Sequence, residues 1–365
     1  MNYEPGYELA GRSFTLLRTL LRPLPLLAWS CSALLLLLAC FPEESLQASS
    51  RGLSIWWDVL FPSLFPFFII SELMLGFGVV HFFGTLLDPL MRPLFRLPGI
   101  AGFVVTMGYV SGYPVGARLT AQLREKNQVT RAEGERMVAF TTTSDPIFLI
   151  GAVSVGFFHN AQLALILAAS HYGAAFLIGL LARFHDRKAP STPRRQEADS
   201  PPLLRAALEA MHNARISDGR VLGKLLEDAI SSALRLMIVV GGLVVFFSAV
   251  MEMLSATGTL DLLSSGVQSL LHAAGLPHQL SAPLVNGLFE VTLGAKAASE
   301  SGAPLIHQAA AAAWVLSWAG LSVHAQVASL VSSTDIRYKP LLLARFLHSV
   351  LACALVYLLW GWLGP

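Results

Sequence analysis

Four ionisable residues, Glu72, Asp145, Glu290 and Lys296, stand in stretches of this chain that are otherwise apolar. A charge inside a bilayer is costly, and it is retained where a solute, a proton or an ion must pass. Asp145 belongs to the run Thr141-Thr142-Thr143-Ser144-Asp145-Pro146. Proline breaks the helical hydrogen-bond ladder and pushes the residue before it out of the helical region. The hydroxyls of Thr142, Thr143 and Ser144 then cap a half-helix or face a cavity. A helix end freed in this way offers N–H groups and partial positive charge, which suit an anionic or strongly polar solute. The plainer reading of Thr142 and Ser144 is a hydrogen bond back to their own helix. Glu290 and Lys296 lie six residues apart. They pair with each other, or they face a cavity in which Lys296 meets a substrate carboxylate, with Asn286 as a neutral polar neighbour. At helical spacing Ser322 and Gln326 share a face and His324 is offset from it. His324 carries a proton in coupled transport, or makes an ordinary interhelical hydrogen bond. Glu72 is either a coupling carboxylate or a contact within the bundle.

These residues need elements that cross a membrane. Of the 365 residues 54% are hydrophobic and 13% are charged. Soluble domains carry about 25% charge, so the excess of apolar side chains calls for a bilayer as solvent. Apolar stretches long enough to span occur at 24–41, 55–80, 137–157, 161–182, 229–251, 305–333 and 341–362. The first follows Arg18 and Arg22 and reads as a retained anchor, although Leu37 to Cys40 loosely resembles a lipidation box. Residues 81–97 read as interfacial. Residues 99–117, with five glycines and Pro114, fit a re-entrant or broken segment better than a straight span. So do residues 281–300. The 137–157 stretch is expected to be a discontinuous helix. Residues 118–136 read as a charged loop in which Thr130 and Glu133 form a capping box, where a short surface helix starts. Residues 186–202 read as a flexible linker and 203–228 as an amphipathic surface helix.

The net charge of +2 gives no concentrated basic face, so nucleic acid is not an expected partner. Cys31, Cys40 and Cys353 lie in apolar stretches without a CxxC pair, which argues against a disulfide framework or a zinc site. Neither a P-loop nor a G-x-S-x-G or H-E-x-x-H motif occurs. We therefore expect no enzymatic activity, no cofactor and no metal.

Lysine and arginine mark the cytoplasmic side. They gather in the N-terminal arm (Arg12, Arg18, Arg22), in 118–136, in 183–228 and at Arg337 and Lys339, and are sparse in 42–54 and 252–280. Seven crossings and two re-entrant segments satisfy every loop, with the N-terminus inside and the C-terminus outside. The order span, broken segment, polar helix, span occurs twice with opposite starting sides. The fold class is thus an all-α polytopic membrane protein of two inverted-topology repeats, as in secondary transporters. The expected parts are residues 1–54 (arm and first helix), 55–183 (first repeat), 184–228 (linker and amphipathic helix) and 229–365 (second repeat). Residues 112–117 align weakly with 292–297.

Four runs carry a resemblance: MGYVSGYPVGARLTAQL at 107–123, ERMVAFTTTSDPIFLIGAVSVGFF at 135–158, NGLFEVTLGAKAAS at 286–299 and SWAGLSVHAQV at 317–327. Together they resemble the sporulation integral membrane protein YlbJ family, also called SpoVV, over roughly residues 50–362. That family is part of a wider group with paired nucleoside-recognition or gate domains, distantly similar to concentrative nucleoside transporters. The resemblance implies a role in endospore formation, in moving dipicolinic acid across the outer forespore membrane. It maps the family motifs onto Ser111 to Gly116, which adds Ser111 and Tyr113 to the candidates, and onto Thr141 to Pro146, Glu290 to Lys296 and Ser322 to Gln326.

The partners so implied are a small anionic solute, dipicolinate, and membrane lipids, with a homo-oligomer left open. A transporter of nucleosides or another polar metabolite is the first alternative. A non-transporting sporulation scaffold, using the basic 183–228 region, is the second.

Overall fold

The computed structural model describes residues 23–193 and 202–365. Arg12, Arg18, Arg22 and linker positions 194–201 lie outside the described residues. The fold is helical throughout, without a strand among the described residues. Helix α1 (Pro23–Cys40) runs through a kink at Phe41 into α2 (Pro42–Gly76). Then follow α3 (Val79–Leu90), α4 (Ala101–Ser111), α5 (Tyr113–Glu125), α6 (Arg131–Thr141), the wide-turned π-helix α7 (Phe148–Phe157) and α8 (Leu163–Ala182). The second part comprises α9 (Leu203–Asp218), α10 (Leu222–Ala256), α11 (Thr259–Ala273), α12 (Ser281–Phe289), α13 (Val291–Glu300), α14 (Leu305–Trp318), α15 (Gly320–Val331) and α16 (Tyr338–Leu363). Among the described residues five stretches are long and apolar enough to cross a membrane: α2, α8, α10, α14 with α15, and α16.

The first helices of the two repeats, α2 and α10, lie antiparallel along their whole length. Gly52 meets Ser248, Gly241 meets Trp56, and Gly76 meets Leu225. The Trp56 Nε1–H donates to the Met237 carbonyl at 2.9 Å, and Arg51 pairs with Glu252 at 2.5 Å. Each helix has 35 residues, roughly 52 Å at 1.5 Å per residue. That exceeds the roughly 30 Å hydrocarbon layer, so both overshoot it. The antiparallel pairing is what an inverted repeat requires of its equivalent members.

Each repeat contains a helical hairpin packed on a broken helix. In the first, α4 and α5 turn at Gly112, and Gly108 and Gly116 straddle Thr141 near the end of α6. In the second, α12 and α13 turn at Glu290, and Gly287 and Gly294 straddle Val315 of α14. The matching glycines are therefore 116 and 294. The sequence alignment of 112–117 with 292–297 is out of step by two positions, since the tips at Gly112 and Glu290 are the equivalent points.

Two further expectations need correction. The short helix expected to start at Thr130 does form, as α6, but the charged stretch 118–136 is not a surface loop, since residues 118–125 belong to α5. The Thr130 and Glu133 capping box does form, at 3.3 and 2.9 Å. Glu133, Glu135 and Arg136 are buried there: Glu133 bonds Thr192, Arg136 bonds the carbonyls of Arg96, His185 and Asp186, and Glu135 reaches the other repeat. The Glu135 carboxylate receives Arg337 Nε at 2.7 Å and Nη2 at 2.8 Å, and lies 2.6 Å from His185 Nε2. Arg124 grips Asp335 with two hydrogen bonds of 2.7 and 3.1 Å. The expected amphipathic helix 203–228 is also two elements, since Gly219 in the left-handed conformation ends α9 before α10 begins.

Candidate functional site

The first break lies between α6 and α7. Thr142 to Asp145 leave the helix, and all four are buried. The unwound backbone is met by side chains from α8 and α16. Ser144 N–H donates to His171 Nε2 at 3.1 Å, and His171 Nδ1 is 2.8 Å from Ser317 Oγ at the end of α14. The Tyr172 hydroxyl donates to the Ser144 carbonyl at 3.0 Å, and Arg345 Nη1 donates to the Thr142 carbonyl. Asp145 Oδ1 accepts the Phe148 N–H at 2.8 Å, so this carboxylate caps the half-helix that follows it.

A second break, not foreseen in the 305–333 stretch, separates α14 from α15 at Ala319 and Gly320. Both take the left-handed conformation, with φ of 75° and 72°. Gly320 abuts the Phe289 carbonyl and Glu290 N at the tip of the second hairpin. The first hairpin meets its break in the same way, with Gly112 against Asp145. Glu290 caps α13, its Oε2 accepting the Leu293 N–H at 2.8 Å. Each repeat thus brings a hairpin tip against a broken helix, and each provides one carboxylate that caps a half-helix.

Between them is a chamber of about 100 Å³. Ser111, Tyr113, Asp145, Glu290, Thr292, Ser322 and Gln326 line its polar side. Leu64 and Phe68 of α2, Phe148 of α7, and Leu236, Val240 and Leu243 of α10 line the apolar side.

Of the candidate residues, Ser111, Tyr113, Asp145, Glu290, Ser322 and Gln326 come together in this chamber. Ser322 and Gln326 face it from one side of α15. His324, offset as the helical spacing requires, instead lines a second, small cavity with Thr142, Trp318, Val323 and Arg345. His324 Nδ1 meets the Tyr338 hydroxyl. Thr142 Oγ1 bonds back to the Val138 carbonyl at 2.8 Å, the plainer of its two readings. Thr143 and Ser144 are buried in the break but do not line the chamber. The expected link of Glu290 to Lys296 is absent. Lys296 lies two turns beyond the tip, part-exposed, and pairs with Glu300 at 3.4 Å. A residue six positions into a helix cannot turn back to its cap. Asn286 and Glu72 are also outside the chamber lining. Of the N–H groups expected at helix starts, Asp145 takes that of Phe148 and Glu290 takes that of Leu293.

Sequence reading missed Arg345, His348, His171 and Ser317. Arg345 was the most accessible of these, one arginine in an apolar span.

Long antiparallel first helices, paired re-entrant hairpins and paired broken helices around a central chamber define a polytopic membrane protein with a transporter-like fold. A solved structure described as CNTnw in an inward-facing, substrate-bound state aligns over 100% of this chain and 88% of its own, with a TM-score of 0.54 and 12% identity. The gate family, described as nucleoside recognition, matches residues 58–182 and 237–336. The sporulation integral membrane protein YlbJ of Bacillus subtilis (strain 168) is 47% identical over 319 residues, which cover 87% of this chain and 78% of the relative. The chain belongs to the YlbJ family of sporulation integral membrane proteins, within the nucleoside-recognition gate group.

Proposed function

We propose that this protein is a non-enzymatic carrier that moves dipicolinate across the outer forespore membrane of a spore-forming bacterium. The observation that carries this reading is the chamber where both hairpin tips and both helix breaks converge. Secondary transporters place their solute at such a meeting of discontinuous helices. Dipicolinate is a planar ring with two carboxylates on one edge. Its faces suit the wall formed by Phe68, Phe148 and the aliphatic side chains, and its edge suits Ser111, Ser322 and Gln326.

Asp145 and Glu290 impose a condition on a dianionic cargo. Each uses one oxygen as a helix cap, and both line the chamber. Of the two negative charges that dipicolinate brings, at least one enters this acidic space with a proton, so uptake is proton-coupled in this reading. A nucleoside is the second reading. The same two carboxylates, with Gln326, offer acceptors to sugar hydroxyls without that condition.

The test is uptake of labelled dipicolinate by proteoliposomes holding the full chain, with and without an inward proton gradient. Saturable uptake that rises with the gradient is expected, with weak competition from nucleosides. Saturable nucleoside uptake without dipicolinate uptake would establish the second reading instead.

A further inference from the structure

We infer that Arg345 is the seat for a carboxylate of the transported solute; this deepens the dipicolinate reading and rests on it. Arg345 is 1% exposed, on the apolar helix α16. A guanidinium stays charged in proteins, and a buried charge without a counter-charge costs several kcal/mol. All of its contacts are neutral. Nη1 donates to the Thr142 carbonyl and to His348 Nδ1 at 3.2 Å, and the Tyr113 ring centroid is 5.7 Å away. His348 gives no negative charge. Its Nε2 is 2.9 Å from the His171 carbonyl and must donate there, which leaves Nδ1 as the acceptor. Nη2 has no partner, and among the described residues no carboxylate lies within salt-bridge distance of Arg345.

The other fully buried arginine is different. Arg136 at the charged end of the bundle spends its donors on the carbonyls of Arg96, His185 and Asp186 at 2.9 to 3.1 Å. It is a structural staple with its hydrogen bonds complete. Arg345 keeps both a charge and a donor in reserve.

Its place says for what. Arg345 lines the small cavity between the two breaks, about 10 Å³ in size. Val323 forms part of the wall of both this cavity and the chamber, and Tyr113 lines the chamber while its ring faces the guanidinium. A space of that size takes one oxygen-sized atom and not a ring. With the ring in the chamber, a carboxylate reaching past Val323 and Tyr113 would meet Nη2. The solute class this selects is a ring carboxylate. An uncharged nucleoside has nothing to bring to this position.

The probe is pyridine-2,6-dicarboxylate, compared with its uncharged diamide, on the reconstituted full chain. Trp318, in the wall of the small cavity, supplies a fluorescence readout beside uptake. Wild type is expected to bind the dicarboxylate and to discriminate against the diamide at least tenfold. Arg345→Gln is expected to lose at least tenfold in dicarboxylate affinity and most of that discrimination, with Arg345→Lys in between. Because Arg345→Gln can fail to fold, the wild-type comparison stands alone: equal binding of diamide and dicarboxylate overturns the inference. So does a folded Arg345→Gln protein that binds the dicarboxylate like wild type, or a Trp318 response to chloride that blocks the response to dicarboxylate. In each of these cases carriage of dipicolinate can still stand. Absence of any dicarboxylate binding or uptake by wild type overturns the carrier reading, and the seat with it.

Discussion

Asp145 and Glu290 each do two things with one carboxylate: one oxygen holds a helix start, and the group as a whole helps to line the chamber. The two roles separate by substitution. Asn at 145 keeps a side-chain oxygen for the Phe148 N–H, so thermal stability in detergent is expected to change by less than about 1 kcal/mol, whereas Ala at 145 loses the cap and costs about 1 kcal/mol or more. In transport the expectation differs: Asp145→Asn and Glu290→Gln proteins should retain their fold and lose the response of dipicolinate uptake to an imposed proton gradient. Uptake that still follows the gradient in both variants would remove these carboxylates from proton coupling. At this scale the sequence was legible where a residue's position along a helix decides its direction. Ser322 and Gln326 face the chamber and His324 does not, as their spacing requires. It was less legible where a partner comes from a distant helix. Lys296 looked like a partner for Glu290 because both are charged in an apolar run, yet the tip geometry separates them. Arg345 gains its meaning from Thr142, 203 positions away.

The elements that matter most are the hairpins and breaks, and their sequence signals were unequal. Proline after Asp145 and the cluster of glycines at 99–117 marked the first break and the first hairpin. The second break has only Ala319 before Gly320, and alanine does not announce a left-handed turn. The second hairpin turns at Glu290, an extended residue that looks like any other. Gly112 is the most demanding position. Its φ of 83° with ψ of −173° belongs to a region open essentially to glycine alone, and a Cβ there would lie 3.0 Å from Asp145 Oδ2. Gly112→Ala is expected to lower stability by about 1–3 kcal/mol and to depress uptake more than stability. Thermal unfolding and initial uptake rates on the same preparation check this. Ala319→Gly should act in the opposite sense, raising the unfolding temperature by relieving a left-handed alanine.

Across the whole molecule, the two repeats are tied at their charged end. Burial alone would raise the Glu135 carboxyl, but Arg337 and His185 outweigh it and hold it below the ordinary glutamate value. A depressed carboxylate gives stability that is fully present above its unfolded value and is lost as pH falls through the lower folded value. The Glu135 contribution is therefore complete at neutral pH and disappears only in acid. Glu135→Gln should cost about 1–2 kcal/mol at neutral pH, less than a fully buried pair because Arg337 is half exposed, and the difference from wild type should vanish at low pH. Melting curves across that range decide it. The sequence showed the charges of 118–136 and Arg337 but placed them in a surface loop and a short surface helix, since an ion pair across 202 positions leaves no local periodicity. At the opposite extreme, α2 and α10 are bound to each other along their length by Trp56 and Met237 and by Arg51 and Glu252. Toward the hairpins and breaks they present Leu64, Phe68, Leu236, Val240 and Leu243, and among the described residues no side-chain hydrogen bond crosses that boundary. Such a boundary has little friction. Dispersion contacts re-form after a small slip as readily as before it, so the two long helices can stay still while the hairpins and breaks shear along them without a directional bond having to break.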